Sequence, residues 1–188
     1  MTSEVTSEIT SDPQLARRID ALLRDVSDFP KPGVGFKDIA PLLADGPAFA
    51  AVISGLVAVA GPDVEIVAGV EARGFLLAGA LADRLGCGLV PVRKAGKLPP
   101  PVLRRSYDLE YGSAEIEVPV AVLTGKRVLL VDDVLATGGT LAAAAALITD
   151  AGGLVTALGV IVELGFLNGR AALASATATA PLHSLLTL

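Results

Sequence analysis

One cysteine, one histidine, one methionine and no tryptophan stand among 188 residues, and aromatic residues make up only 4%. The single Cys87 excludes an intramolecular disulfide, which fits a reducing compartment, the cytoplasm. Flanked by Gly86 and Gly88, it reads as a small packed residue, not a nucleophile. His183 lies in an apolar C-terminal stretch and also reads as packing. With one residue of each kind, a dedicated zinc-type site is excluded. Positive charge is short as well: 15 Lys and Arg against 20 Asp and Glu leave a net charge of −5, with a pI near 4.8. That is the wrong sign for a nucleic-acid or anionic-membrane surface, so neither is expected as a partner. A polyanionic ligand must be met by a local cluster of Arg and Lys. The N-terminus, Met1 to Glu8, lacks the basic and apolar regions of a secretory signal. Although mean hydropathy is +0.63, the charge-free runs 46–62, 134–149 and 171–188 are interrupted by Gly or Pro or lack basic flanks. No transmembrane helix is expected. The alanine excess points to tightly packed helices and an apolar subunit interface.

What the chain does have is concentrated in one stretch. Arg127-Val-Leu-Leu-Val131 opens on an apolar run with the character of a buried parallel strand. Two adjacent carboxylates, Asp132 and Asp133, stand at its end, followed by a turn, Gly138-Gly139, and the helix-forming run Leu141 to Ile148. Strand, small-residue turn and helix direct several backbone N–H groups at an anion. The glycines permit close approach and two threonines add hydroxyls. Ala136, Thr137, Gly138, Gly139 and Thr140 therefore read as a phosphate cradle. Carboxylates beside a phosphate must face something else, and paired acceptors suit vicinal hydroxyls. Asp132 and Asp133 thus read as clamps on a ribose 2′- and 3′-OH. No Gly-Lys-Ser/Thr is present, which argues against a Walker-type nucleoside triphosphate site. The competing reading is a strand-to-helix turn with capping glycines and solvated acids. The acid pair with Thr137-Gly-Gly-Thr140 resembles the ribose-5-phosphate signature of the type I phosphoribosyltransferases.

The length fits a single domain, 1–188, with a mobile tail over residues 1–10. Asp12-Pro13 signals a helix start, and Leu15, Ile19, Leu22, Leu23 and Val26 carry that helix to about Val26. Residues 28–38, with two prolines, two glycines and two phenylalanines, are expected to form a shaped loop without regular structure. Further helices are expected at 46–60, 75–85, up to Asp150 and briefly from Gly169. Strands are expected at 64–69, 89–92, 114–118, 120–123, 127–131 and 154–163, with an edge strand at 182–186 and an irregular excursion over 94–111. Strands alternating with helices give an α/β fold, a central and mostly parallel twisted sheet flanked by helices. Ligands bind outside the carboxyl ends of such strands, where the segments after residues 69, 92, 131 and 162 should meet.

Three other pieces carry chemistry. Arg73, in a strand-to-helix turn, can fork onto pyrophosphate oxygens; a structural ion pair is the alternative. Arg93, Lys94 and Lys97 form a basic patch that calls for an anionic partner, unless they are a solvated loop. Lys97 is the best placed, held between Gly96 and Leu98-Pro99. Tyr107 to Gly112 is an acid-aromatic cluster suited to a lid, on which the Glu110 carboxyl could exchange a proton with a base. Surface decoration is the alternative there.

Together these pieces resemble the adenine phosphoribosyltransferases over about Leu15 to Leu186. The matching blocks are Phe29-Pro-Lys-Pro-Gly33, Phe36-Lys37-Asp38-Ile39, Arg73-Gly74-Phe75, Arg93-Lys94-Ala-Gly-Lys97, Ser106 to Gly112, the acid pair with its loop, and Val162-Glu163-Leu164. The resemblance implies the type I phosphoribosyltransferase fold, with an N-terminal hood over the purine (28–38) and a flexible lid (94–112). It implies transfer of ribose 5-phosphate from 5-phosphoribosyl 1-pyrophosphate to adenine, giving AMP and pyrophosphate in purine salvage. Phe36 would stack on adenine, backbone groups of Gly35 and Lys37 would read its edge, and Leu164 would pack opposite. Arg73 and Lys97 would hold pyrophosphate, with the Arg93-Lys94 segment reaching toward the partner subunit's site in a homodimer. Glu110 would be the lid carboxylate acting with Arg73, Asp132 and Asp133 in catalysis. Mg²⁺ would come on the substrate's own oxygens, with no dedicated protein ligands. The chain departs from the family pattern at Lys37, where arginine is frequent, at Gly35, where a β-branched residue is usual, and at Pro100, where glycine is common. Two other readings remain at this point: a different nucleobase as acceptor, or a regulatory module that binds the phosphoribosyl compound without reacting.

Overall fold

A computed structural model describes residues 12–29, 31–108, 113–176 and 180–188. The expected tail lies outside the described residues. Helix α1 (Pro13–Leu22) is capped by Asp12, whose carboxylate accepts the Gln14 N–H, but it stops short of Val26. Leu23 turns extended, and β1 (Arg24–Val26) pairs antiparallel with β2 (Phe36–Asp38). Of the segment read as a loop, residues 28, 29 and 31–35 hold no regular structure and only 36–38 form a strand, one arm of this hairpin. Apolar spacing suggested helix here, but charge pairing decides: Arg24 forks onto Asp38 at 3.0 and 2.7 Å, and Lys37 meets Asp25 at 2.5 Å.

The short α2 (Ala40–Ala44) leads into α3 (Gly46–Val59), whose Asp45 cap accepts the Ala48 N–H. Then come β3 (Ile66–Val70), α4 (Arg73–Leu85) and β4 (Gly88–Lys94). Next, β5 (Val102–Asp108) and β6 (Ser113–Pro119) pair antiparallel along their lengths. This corrects the expected irregular excursion. Leu103 and Tyr107 alternate inward onto the core, and Arg105 reaches Asp150 at 2.5 Å, so strand pairing has both apolar and ionic support. The expected strand at 120–123 is instead a run of turns, closed by the Leu123 N–H donating to the Val120 carbonyl. The remaining elements are β7 (Arg127–Leu135), α5 (Gly139–Asp150), β8 (Leu154–Glu163), a 3₁₀ turn (Gly165–Leu167), α6 (Gly169–Ala176) and β9 (Leu182–Thr187).

Seven strands form one sheet in the order β5-β6-β4-β3-β7-β8-β9. The five strands from β4 to β9 are parallel; β6 and β5 add an antiparallel edge. From β3 the chain winds first toward β4 and later toward β7, so a topological switch lies between β3 and β7. Both faces are covered. Val128 and Leu130 pack beneath α5, while Leu129 and Val131 pack with α3 and α4. The alanines of α5 serve this packing, with Ala143, Ala144 and Ala145 buried. Cys87 packs among the partly buried residues on the α4 side, and burial pushes its thiol pKa up. Among the described residues no helix is long and apolar enough to cross a membrane.

Candidate active site

At the carboxyl ends of β3, β7 and β8 a cleft of about 340 Å³ is roofed by the β1–β2 hairpin. It continues into a smaller cavity of about 70 Å³ formed by Leu135 to Leu141. The second cavity is the predicted phosphate cradle. Gly138 has φ +85° and precedes the first turn of α5, a conformation only glycine adopts without strain. The N–H groups of that turn and the positive end of the helix face the cavity, a ready anion site. Beyond the expected strand end, β7 stays paired with β8 through Leu135, so both aspartates ride on a strand and not on a loop.

The two carboxylates differ. Asp133 is 5% exposed, and its Oδ2 lies 2.8 Å from Arg73 Nη2, yet no hydrogen bond is aligned on that oxygen. Asp132 accepts the Asp133 N–H at 2.9 Å. Burial first, and the neighbouring Asp133 charge second, push the Asp132 pKa well above the usual carboxylate range. Gly74 admits this arrangement: a Cβ there would stand 3.0 Å from the Val131 carbonyl and 3.2 Å from Asp132 Oδ1.

Arg73 makes the ion pair that one of its two readings expected. It pairs with Asp133, but it also lines the cleft, with its guanidinium carbon 4.9 Å from the centre of the Phe36 ring. Phe29 packs edge-on against Phe36 at 5.0 Å. Gly35, Phe36 and Lys37 line the cleft on one side and Leu164 on another. The Lys37 side chain points to Asp25, which leaves its backbone at the cleft.

Residues 42–167 match the family model of the phosphoribosyl transferase domain. The chain is 59% identical over 168 residues to the adenine phosphoribosyltransferase of Streptomyces coelicolor, covering 88% of this chain and 92% of that one. The chain belongs to the adenine phosphoribosyltransferase family. The crystal structure of the Rhodothermus marinus adenine phosphoribosyltransferase superposes with a TM-score of 0.87 at 41% identity, covering 94% of this chain and all of the other. The Giardia lamblia APRTase, complexed with 9-deazaadenine, gives a TM-score of 0.85 at 37% identity, over 92% and 97% of the two chains. Family membership makes the chain a pentosyl transferase with the type I phosphoribosyltransferase fold.

Within that family fold, Asp132, Asp133, Ala136, Thr140, Arg73, Gly35, Phe36, Lys37 and Leu164 meet in the larger cleft. Thr137, Gly138 and Gly139 line the smaller one. Arg93, Lys94 and Lys97 do not line either. Arg93 stacks near Phe75, and its Nε approaches Glu71 at 3.4 Å. The Lys94 N–H donates to the same Glu71 carboxylate at 2.9 Å, and Lys97 is exposed. The segment after residue 92 thus reaches the cleft only through Glu71, itself a lining residue. Glu110 lies outside the described residues. Sequence reasoning missed Glu71 as a lining residue and named Tyr107 only within the lid cluster. The alternation Leu103, Arg105, Tyr107 was the available signal for the second; for Glu71, only its place just after the first core strand.

Proposed function

We propose that the chain transfers ribose 5-phosphate from 5-phosphoribosyl 1-pyrophosphate to adenine, releasing pyrophosphate and forming AMP in purine salvage. The observation that carries this reading is that the 136–140 loop, the acid pair and the aromatic hairpin line two cavities that share Asp132, Ala136 and Thr140. The cradle at 136–140 fixes the 5-phosphate and so aligns the reacting centre. Asp132 and Asp133 accept the ribose hydroxyls and stand near the positive charge that develops at C1′ as the bond to pyrophosphate breaks. Phe36 and Leu164 sandwich the base, whose edge is read by backbone groups of Gly35 and Lys37. The new bond forms from N9 of adenine to C1′, and the N9 proton leaves toward the lid carboxylate Glu110. Arg73 in the cleft faces the leaving pyrophosphate, and Lys97, Arg93 and Lys94, which do not line the cleft, would reach it from the neighbouring loop.

The residues fit Mg²⁺ as a substrate-borne ion. The buried Asp133 carboxylate, whose Oδ2 has no aligned hydrogen bond although Arg73 Nη2 stands 2.8 Å away, would offer such an ion a hard oxygen. Bound Mg²⁺ supplies neutralisation of diphosphate charge. We read the chain as one domain over 1–188, with a hood at 28–38 and a lid at 94–112. It is a cytoplasmic homodimer without nucleic-acid or membrane partners.

Pyrophosphate release measured with each nucleobase in turn tests the function. Adenine should support release, while guanine and hypoxanthine, whose 6-oxo group reverses the donor and acceptor pattern, should not. Binding of phosphoribosyl pyrophosphate with no release on adding adenine would leave a non-reacting binding module and sink the proposal.

A further inference from the structure

Glu117 on β6 is fully buried, at 0% exposure, on a strand whose neighbours Ile116 and Val118 are core residues. A buried carboxylate is costly unless its oxygens are satisfied. Here one oxygen accepts the backbone N–H groups of Lys97 and Leu98, each at 2.6 Å, and the other accepts Arg104 Nε at 2.9 Å. Burial alone would raise its pKa, but these donors outweigh burial and hold it at about 2.

The register explains the convergence. Glu117 sits opposite Arg93 on β4 and opposite Arg104 on β5. The chain leaves β4 just after Lys94, stays tied by the Ala95 N–H to the Glu115 carbonyl, and doubles back at Gly96, which has φ +80°. Consecutive amides turned inward make an anion-binding nest, and the chain fills this one with its own side chain. Arg93 Nη1 then donates to the Lys97 carbonyl at 3.2 Å, which ties the two cations together. An apolar residue at 117 could supply core packing, but it could not orient the two amides.

We infer that Glu117 is a positioning residue for pyrophosphate recognition: by gripping the 96–98 backbone from beneath, it fixes how Lys97 and Arg93 are presented to the diphosphate. This rests on the transferase reading above, and it gives the remote basic segment a physical route to the reaction.

The test uses the full-length enzyme with Glu117→Gln, Glu117→Asp and Gly96→Ala. Glu117→Gln should raise KM for phosphoribosyl pyrophosphate about tenfold, the equivalent of one charge-assisted hydrogen bond. KM for adenine and kcat should move much less. Amide hydrogen exchange at 96–98 should lose protection in the same variant, and Glu117→Asp should recover part of both effects. Gly96→Ala perturbs the same turn from outside the core, since a Cβ there meets nothing within 4 Å while φ is positive. It should show the same selective rise, and it decides the matter if Glu117→Gln fails to fold. Unchanged protection in a folded Glu117→Gln, or KM values for both substrates that rise together, would overturn the inference. So would a wild-type KM for phosphoribosyl pyrophosphate in Gly96→Ala. A wild-type protein that protects 96–98 but turns over no adenine fails at the transferase reading, which separates the two.

Discussion

Replacing Gly169 with alanine probes the phosphate cradle from behind. Gly169 opens α6, and a Cβ added there would stand 2.1 Å from the Ala136 carbonyl oxygen and 3.1 Å from the Gly138 nitrogen. From the other side, a Cβ on Gly138 would stand 2.5 Å from the Gly169 carbonyl oxygen. The two backbones therefore brace each other without side chains between them. Helix α6 is not free to retreat. Arg170, its second residue, forks onto the buried Glu163 at 3.0 and 2.5 Å and donates to the Leu182 carbonyl at 2.9 Å; Ser184 Oγ donates to the same carboxylate at 2.8 Å. The clash must be relieved mainly by the cradle, which has to move about 1 Å, a misplacement that costs on the order of 10²-fold in rate when it falls on substrate-positioning groups. Overpacking adds about 1–3 kcal/mol of destabilisation. Initial rates against phosphoribosyl pyrophosphate at saturating adenine, with a thermal melt alongside, measure both. A Gly169→Ala enzyme with kcat/KM within about threefold of wild type and an unchanged Tm would refute the claim that α6 sets the cradle's shape.

Phe36→Ala should raise KM for adenine by about 10- to 100-fold, the usual worth of one stacked base, and leave KM for phosphoribosyl pyrophosphate nearly unchanged; a uniform loss on both substrates would place Phe36 outside the base site. Asp132→Asn should lower turnover by about 10²-fold if its charge stabilises the ribosyl centre, yet raise the Tm at neutral pH. Because the folded-state pKa of Asp132 is raised, stability falls as pH climbs from the ordinary aspartate value of 3.8 toward that raised value, and the amide variant escapes the loss. Melts from pH 4 to 8 should show the two proteins diverging as pH rises. Glu117 has the opposite sign: with its pKa lowered to about 2, its contribution is present above 4.5 and is lost as pH falls toward 2. Glu117→Gln should therefore show a flatter acid limb than wild type.

Most of the sheet was legible because its strands are short apolar runs separated by glycine-bearing turns, and β8 matches its expected bounds of Leu154 to Glu163. The cradle was legible for a related reason: acid pair, glycines and helix formers are contiguous, so one window of sequence holds the whole device. Failures fell where a partner far along the chain decides. Val26 keeps helical spacing, yet Arg24 and Asp25 leave the helix for Asp38 and Lys37. Likewise, β5 looks irregular until β6 supplies its ladder and Asp150 its counter-charge. The site shows the same division. Gly169 has no positive φ to betray it, and its role is visible only once Ala136 lies against it. Glu117 reads as an ordinary alternating strand acid until a loop some 20 positions earlier folds onto it.

Arg73 turns these local devices into one site. Its Nη2 stands against the buried Asp133, its Nη1 lies 3.5 Å from the Lys37 carbonyl, and its planar face is close to the Phe36 ring. A guanidinium has five donors in a rigid fork and an apolar face, so it can join a carboxylate, a backbone carbonyl and an aromatic ring at once. A lysine, a compact point charge without that planar fork, would not hold all three in this geometry. The acid pair and the aromatic hairpin therefore share a side chain, and on the reading proposed above its displacement toward a diphosphate would be felt at both. On that reading, such a linkage would let an acidic protein handle a polyanion without a basic surface, because the cation at the centre is held by internal partners that the substrate's own charges could replace.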